Sequence, residues 1–426
     1  MRDSLELFVD VERAEVAGGL PLAHRRFLFA TAPVGPFNRR LARVIRGMGA
    51  EALRAILTGG DVLDWGLSDA VFATGGLEGW PSFIERTIEE RGITDLVVFG
   101  DSMVYCAAAL DAARRAGIET WVLENGYRRP QWVTVERNGV NANSALPRRG
   151  GDYDDVEVED LGESPPPVGA ITPWHTIHMI AHFLTVVFTW PLFPNYRFPY
   201  AGRIWPQAGG YIRRYAVWLV SRKRRERETA EILADPRPFF LACLQRDGDS
   251  QLLSHSPIKT NRGFMAHVIR SFAAHAPADA WLVIKNHPLD PGLENYAEAC
   301  KALAWSHGLA GRVRFFDAGP FAPLAHKARG VVAVNSTAAL AAMEFGTPVK
   351  LLGRAFFDIE GLTDPKPLEE FWQGPTGPDS KLLDRVRRRI TLRTQVWGNY
   401  HNRAAIERTA FGVAARFACP DMEFLA

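Results

Sequence analysis

Cysteine is scarce. Only Cys106, Cys243, Cys300 and Cys419 occur in 426 residues, far apart and without paired spacing. That excludes a disulfide framework and a cysteine zinc site, and it fits a reducing compartment. Net charge is scarce as well: 50 Lys+Arg against 48 Asp+Glu leave +2. Binding nucleic-acid phosphates is therefore not the main business of the chain, and nucleic acid is not an expected partner. The N-terminus, MRDSLELFVDVERAE, lacks the basic head and apolar core of a signal peptide, so the chain is expected to stay in the cytoplasm. No Walker P-loop, GxSxG elbow or HExxH is found. A bilayer span needs roughly 20 consecutive apolar residues. The best stretch, 177–194 (IHMIAHFLTVVFTWPLFP), is interrupted by His178, His182, Pro191 and Pro194.

What is present is ordinary globular composition, 47% apolar and 23% charged, in a length that suits two domains of about 100–200 residues. Two blocks alternate short apolar strands with turns and amphipathic helices, the α/β signature. The first contains the strand 24–30 with its TAPVGPFNRR turn, DLVVFGDS and TWVLENG. The second contains FFLACLQ, WLVIKNHP, RVRFFDAG and GVVAVNSTAALAAMEFGTPVKLLG. Paired blocks of this kind match the GT-B architecture, two Rossmann-like domains facing a cleft, although periodicity alone does not separate it from other paired Rossmann-like folds. The expected division is 1–162, an N-terminal domain; 163–232, an aromatic and basic helical insertion; 233–395, a C-terminal domain; and 396–426, a helix that in GT-B folds crosses back to the first domain. The insertion alternates Trp, Tyr and Phe with Arg and ends in Arg222-Lys223-Arg224-Arg225. That composition suits the interface of an anionic bilayer. A buried helical hairpin with a solvated basic end is the competing reading.

Chemistry-bearing residues gather where strands end, the edge at which open α/β sheets bind ligands. Val334-Asn335-Ser336-Thr337-Ala338 leaves an apolar strand and opens an Ala-rich helix. Backbone N–H groups there suit a phosphate, while a plain helix cap is the other use of Ser336 or Thr337. Lys285-Asn286-His287-Pro288 closes a strand, with Pro288 holding His287 extended. His287 can bond a phosphate or a base, or be structural. Gln245-Arg246-Asp247-Gly248-Asp249 offers two carboxylates, either able to stabilise or trap an oxocarbenium-like sugar. An Asp-Gly turn with solvated acids competes with that.

In the first block, Glu124 of Leu123-Glu124-Asn125-Gly126-Tyr127 is placed to act as base on an acceptor hydroxyl. Gly126 allows a sharp turn, and Arg128, Arg129 and Gln131 suit a charged acceptor. Gly35, Gly59-Gly60-Asp61 and Gly100-Asp101-Ser102 are candidate acceptor walls, with simple turn chemistry as the alternative. Asp152-Tyr153-Asp154 has the form of a metal-binding DxD, but in an acidic, Gly-rich loop it reads as solvated charge.

Taken together, APVGPFNRRLARVIRG, GGD, FGDS, LENGYRRPQWVTVERNGVNANSALP, QRDGDSQLLSHSP, KNHP and NSTAALAAMEFGTPV resemble capsule polysaccharide biosynthesis and export proteins of the KpsS/LipB type, over about 27–400. The His-Pro and Ser-Thr pairs are also similar to those of CMP-sugar transferases, including sialyltransferases. The acidic-acidic-Gly motif of those enzymes stands here as Glu124-Asn125-Gly126, with Glu124 its only carboxylate.

The resemblance implies a cytoplasmic, retaining β-Kdo glycosyltransferase, peripheral on the inner membrane. Its donor would be CMP-β-Kdo and its acceptor a phosphatidylglycerol-type lipid on which the poly-Kdo linker of a capsule starts. It also implies a partner poly-Kdo transferase of capsule assembly. On this reading His287, Ser336 and Thr337 hold the CMP phosphate, with Gln245, Lys285, Pro288 and Asn335 around the donor. Asp249 is the nucleophile, with Asp247 as alternative, and Glu124 activates the acceptor or assists the leaving group. Gly35, Asp61, Asp101, Arg128 and Arg129 line the acceptor side. No cofactor and no metal are expected, since His287 and a helix terminus can meet a single phosphate. Two other functions stay open: another CMP-sugar transferase with a soluble glycan acceptor, and a non-catalytic capsule-assembly scaffold.

Overall fold

The computed structural model describes residues 20–127, 131–158, 173–198, 220–246, 248, 250–288, 290–317 and 319–421, with positions 206, 209, 210, 213, 214 and 217. It is mixed α/β with two mainly parallel sheets. The described residues of Met1–Ala145, Glu159–Pro199 and Arg388–Ala426 form unit 1, and those of Leu146–Val158 and Tyr200–Arg387 form unit 2. This division differs from the expected one. Residues 146–158 join unit 2 because Tyr153 is wholly buried there and Arg148 donates to the Ala355 carbonyl at 2.8 Å. The expected insertion 163–232 is not a unit of its own: its described part up to 198 belongs to unit 1 and the remainder to unit 2.

Unit 1 begins β1 (Arg26–Phe29), α1 (Phe37–Gly47), β2 (Glu51–Ile56), α2 (Gly59–Trp65), β3 (Ala70–Phe72), α3 (Gly76–Arg91), β4 (Asp95–Phe99), α4 (Val104–Ala116), β5 (Glu119–Asn125), β6 (Trp132–Arg137) and α5 (Pro173–Phe188). Unit 2 holds α6 (Arg222–Ala234), β7 (Phe239–Cys243), α7 (Ser250–His255), α8 (Asn261–His275), β8 (Trp281–Lys285), α9 (Tyr296–Ser306), β9 (Val313–Phe316), α10 (Ala322–Lys327), β10 (Gly330–Ala333), α11 (Thr337–Met343), β11 (Val349–Leu351) and α12 (Leu368–Phe371). Helix α13 (Ser380–Thr394) follows, and β12 (Gln395–Trp397) and α14 (Ile406–Ala418) complete unit 1.

The strand orders are β12-β6-β5-β4-β1-β2-β3 and β11-β10-β7-β8-β9. The parallel part has the same plan in both units. The chain winds outward from the first strand on one side, then returns to its other side. The order therefore reverses between β1 and β4 in unit 1, and between β7 and β10 in unit 2. Such reversals open a crevice at the carboxyl ends of the strands, where ligands of doubly wound sheets bind. FFLAC in β7 and WLVIK in β8 are buried at every residue, as strands covered on both faces require. Trp372 packs edge-on to Phe240 at 4.9 Å in the unit 2 core. In unit 1, Phe417 of α14 stacks on Phe27 at 5.2 Å and tilts against Trp121 at 4.7 Å, which fastens the end of the chain to β1 and β5.

Among the described residues no helix is long and apolar enough to cross a membrane. Helix α5 is unusual in orientation: it buries His175, His182 and Val186 and leaves Ile177, Ile180, Leu184 and Phe188 exposed. Exposed Trp190 and Leu192 continue this apolar strip in the following turn. The basic run is less free than its sequence suggests. Arg222, Arg224 and Arg227 pair with Glu226, Glu228 and Glu231 one turn on, the spacing at which helical ion pairs form. The aromatic residues between 199 and 219 all lie outside the described residues.

Candidate functional site

In unit 2 the reversal between β7 and β10 is bridged by side chains. Gln245, just past β7, donates from Nε2 to Oδ1 of Asn335, just past β10, at 2.8 Å. Asn261 at the start of α8 fixes the Gln245 backbone, accepting from its N–H at 3.2 Å and donating to its carbonyl at 2.9 Å. Gln245 Oε1 is buried and has no hydrogen-bond partner among the described residues, an arrangement native interiors rarely leave open. Ser336 caps α11, accepting from Ala338 N–H at 3.2 Å, and Thr337 follows as its first helical residue.

One strand away, Lys285 ends β8 with 5% of its surface exposed. Burial holds its ammonium below the ordinary lysine range, against the opposing pull of the nearby Asp317 carboxylate. Its hydrogen bond goes to the Asn286 carbonyl at 3.4 Å, and among the described residues it has no carboxylate within ion-pair distance. A buried cation in that state is costly unless something anionic meets it. His287 is half-buried and Pro288 exposed; the His287 N–H donates to Asn286 Oδ1 at 2.8 Å.

Composition gave no warning of the support beneath this loop. Asn286 donates to Asp317 at 2.8 Å, and Asp317 pairs with Arg214 at 3.1 Å. Arg214 also reaches the His287 carbonyl at 3.3 Å. An arginine of the aromatic and basic segment thus braces the loop after β8. Asp247 and Asp249 lie outside the described residues, as do Arg128 and Arg129.

In unit 1 the reversal lies between the loops after β1 and β4. Gly35 has φ +123° and open space where a Cβ would stand. Asp101 is buried and accepts from Ser102 Oγ at 2.6 Å, Val140 N–H at 3.0 Å and Asn143 Nδ2 at 3.0 Å. These bonds tie the loop after β4 to the chain beyond β6. Asp61 forms a capping box with Thr58 at the start of α2 and pairs with Arg54 at 2.5 Å. Both carboxylates are thus engaged within the unit. Half-buried Glu124, near the end of β5, accepts from Asn125 N–H at 2.9 Å. A Cβ on Gly100 would lie 3.4 Å from Glu124 Oε2, so Glu124 borders the loop that carries Asp101. Gly126 is required where it is, because a Cβ there would fall 2.0 Å from the Trp132 carbonyl oxygen. Asp152 and Asp154 face solvent, and Asp154 pairs with Arg385 at 2.6 Å.

A second group in unit 1 was visible in the sequence only as interruptions of an apolar run. Asp64 on α2 accepts from Gly35 N–H at 3.1 Å. Its Oδ1 meets His178 Nε2 at 2.6 Å, and its Oδ2 lies 2.9 Å from His182 Nδ1. Burial pushes the Asp64 carboxyl upward, but His182 and His178 outweigh it and hold it below the usual carboxylate range. His175 stacks at 4.3 Å on His401, and burial with the neighbouring imidazole takes His401 down to about 4. The signal that finds them is spacing: His175, His178 and His182 stand at i, i+3 and i+7, one face of a helix.

Comparison with known proteins agrees with the resemblance. The profile of a family described as capsule polysaccharide biosynthesis protein matches residues 94–401. Capsule polysaccharide modification protein LipB of Neisseria meningitidis serogroup A is 32% identical over 388 residues, 88% of this chain and 91% of that protein. Capsule polysaccharide export protein KpsS of Escherichia coli is 32% identical over 391 residues, 89% of this chain and 98% of that one. Among solved structures, Thermosulfurimonas dismutans KpsC, beta Kdo 2,7 transferase, aligns over 92% of this chain and 99% of its own, at 14% identity and a TM-score of 0.43.

Proposed function

This chain belongs to the capsule polysaccharide biosynthesis protein family, and we propose that within it the chain is a retaining β-Kdo glycosyltransferase. It takes Kdo from CMP-β-Kdo and places it on a phosphatidylglycerol-type lipid at the inner membrane. The observation that carries the donor half is Lys285: a buried ammonium without a carboxylate partner among the described residues, beside the Gln245–Asn335 bridge. An anionic nucleotide-sugar supplies the missing charge, and Gln245 Oε1, buried and without a partner among the described residues, accepts a donor hydrogen from it. His287, Ser336 and Thr337 border the same edge and take the phosphate. The CMP-Kdo identity comes from the family resemblance.

Asp249, or Asp247 in its place, attacks the anomeric carbon, and an acceptor hydroxyl then displaces that carboxylate. Two inversions give retention. Glu124 serves the acceptor or the leaving group. The lipid acceptor is supported by the outward apolar strip of α5, whose tryptophan-bounded edge suits the interfacial layer of a bilayer.

The test is a transfer assay with purified protein, CMP-Kdo generated in situ and a fluorescent phosphatidylglycerol analogue, run with wild type and Asp249→Ala. A Kdo-lipid product that vanishes in the variant is the expected result. Product surviving in the variant moves the nucleophile to Asp247 or out of the mechanism. No product from wild type, with lipid bound and CMP-Kdo intact, overturns the reading.

A further inference from the structure

Helix α5 is built inside out for an amphipathic surface helix. Its aliphatic residues Ile177, Ile180 and Leu184 are exposed at 67%, 53% and 50%, while its imidazoles point into unit 1. Amphipathic helices normally bury the aliphatics and solvate the polar face. The inward face meets Asp64, which Gly35 N–H also holds, so the carboxylate sits under the loop that forms one wall of the unit 1 reversal. Close packing there is enforced: a Cβ on Gly60 would come within 2.5 Å of the His182 ring, and one on Gly59 within 2.1 Å of Thr189 Oγ1.

With Nε2 of His178 on Asp64, its Nδ1 has no hydrogen-bond partner among the described residues; His182 Nδ1 lies 2.9 Å from Asp64 Oδ2 but makes no hydrogen bond among the described residues. A carboxylate that orients an imidazole and leaves its other nitrogen open is the arrangement of a general base with its positioning group. Glue between two helices would not need the second nitrogen of His178 left open.

We propose that His178 is the proton acceptor for the acceptor hydroxyl, with Asp64 as its positioning residue and His182 as the second imidazole steadying Asp64. This deepens the reading above and rests on it. The hydroxyl belongs to a polyol head group of the glycerol type. As its oxygen bonds to the anomeric carbon, the O–H proton passes to His178 Nδ1. The bond from the anomeric carbon to its leaving carboxylate breaks, and the electron pair stays with that carboxylate. The charged or titratable groups facing His178 are Asp64 from α2 and His175 from its own helix; His182 lies on the other oxygen of Asp64, and His401, from the chain before α14, stacks on His175. Nearby are Arg403 over the Trp174 ring and the Arg54–Asp61 pair at the start of α2.

The experiment uses the full chain with CMP-Kdo generated in situ and fluorescent phosphatidylglycerol. It compares wild type, His178→Ala, Asp64→Asn and Glu124→Gln. Lipid transfer is read across pH, with CMP affinity and thermal melting alongside. Removal of a general base costs about 10²–10⁴-fold. His178→Ala is expected to lose transfer on that scale, lose the acid limb of the pH profile, keep CMP affinity, and recover activity with added imidazole. Asp64→Asn should lose less and shift the limb. His178→Ala at wild-type rate overturns the proposal. So does a variant that melts early and that imidazole does not rescue, which marks a structural role. An acid limb removed by Glu124→Gln and kept in His178→Ala assigns the base to Glu124 instead. A wild type that binds CMP but makes no Kdo-lipid refutes the transferase reading itself, and this assignment falls with it.

Discussion

Replacing Lys285 with methionine separates stability from binding. Methionine keeps an unbranched side chain of similar length and fills the same space. What the fold loses is small: one bond to the Asn286 carbonyl at 3.4 Å, long for an N–H···O bond, and a cation at 6.0 Å from the Phe316 ring centroid, at the limit of useful contact. What it regains is the desolvation of a buried charge, and such replacements are neutral or stabilising by up to about 4 kcal/mol. What the ligand loses is a charge-assisted hydrogen bond of about 1.5–3 kcal/mol, or roughly 10- to 150-fold in affinity.

Lys285→Met should therefore melt at or above the wild-type temperature while binding CMP at least about tenfold more weakly by calorimetry. pH adds a second check. Burial lowers the Lys285 pKa in the folded state, so the unfolded chain binds more protons between the folded and unfolded values. The stability penalty is present below the folded pKa and is relieved as pH rises towards the unfolded one. CMP affinity runs the opposite way, falling as pH rises through the folded pKa, at a lower pH than an ordinary lysine would give. A variant that melts lower than wild type with CMP affinity unchanged would refute the reasoning and make Lys285 structural.

Three other measurements bear on separate parts of the molecule. Ile180→Glu with Leu184→Glu, both on the exposed strip, should abolish co-sedimentation with phosphatidylglycerol vesicles and leave stability within about 0.5 kcal/mol; retained sedimentation removes α5 from the membrane contact. Gly126→Ala must displace the Trp132 carbonyl, so its urea midpoint should fall by the equivalent of about 1–3 kcal/mol, whereas an unchanged midpoint would show that the β5–β6 turn has slack. His401 is held neutral, from 6.5 down to about 4, so its contribution is present above pH 6.5 and is lost as pH falls towards 4. That is roughly 3 kcal/mol of wild-type stability, and His401→Gln should show a shallower acid slope; equal slopes would place the acid sensitivity elsewhere.

Much of the architecture is local and could be read from the chain. FFLAC and WLVIK are continuous apolar runs, and β7 and β8 are buried throughout. Parallel strands covered on both faces leave no alternation to mislead. The resemblance was legible for a related reason: its motifs are contiguous strings at strand ends, and the family match and the relatives agree with it. Side-chain engagement was not legible. Asp61 and Asp101 look like any turn acid, and only neighbours such as Arg54 and Asn143 show what holds them. The arginine-rich stretch looked uniformly free. The structure pairs three of its residues within α6 and turns Arg214 to Asp317.

By itself, then, the sequence determined the α/β class, the strands and the family, because hydrophobic runs and turn chemistry act over a few residues. The tertiary structure alone decided what meets what. Strand order brings Gln245 to Asn335 across 90 residues, and helix packing brings Asp64 to His178 across 114. The same packing turned the imidazoles of α5 inward and its aliphatics outward. Periodicity marks a helix as two-faced, but which face is buried depends on the partner surface, and here that surface carries a carboxylate.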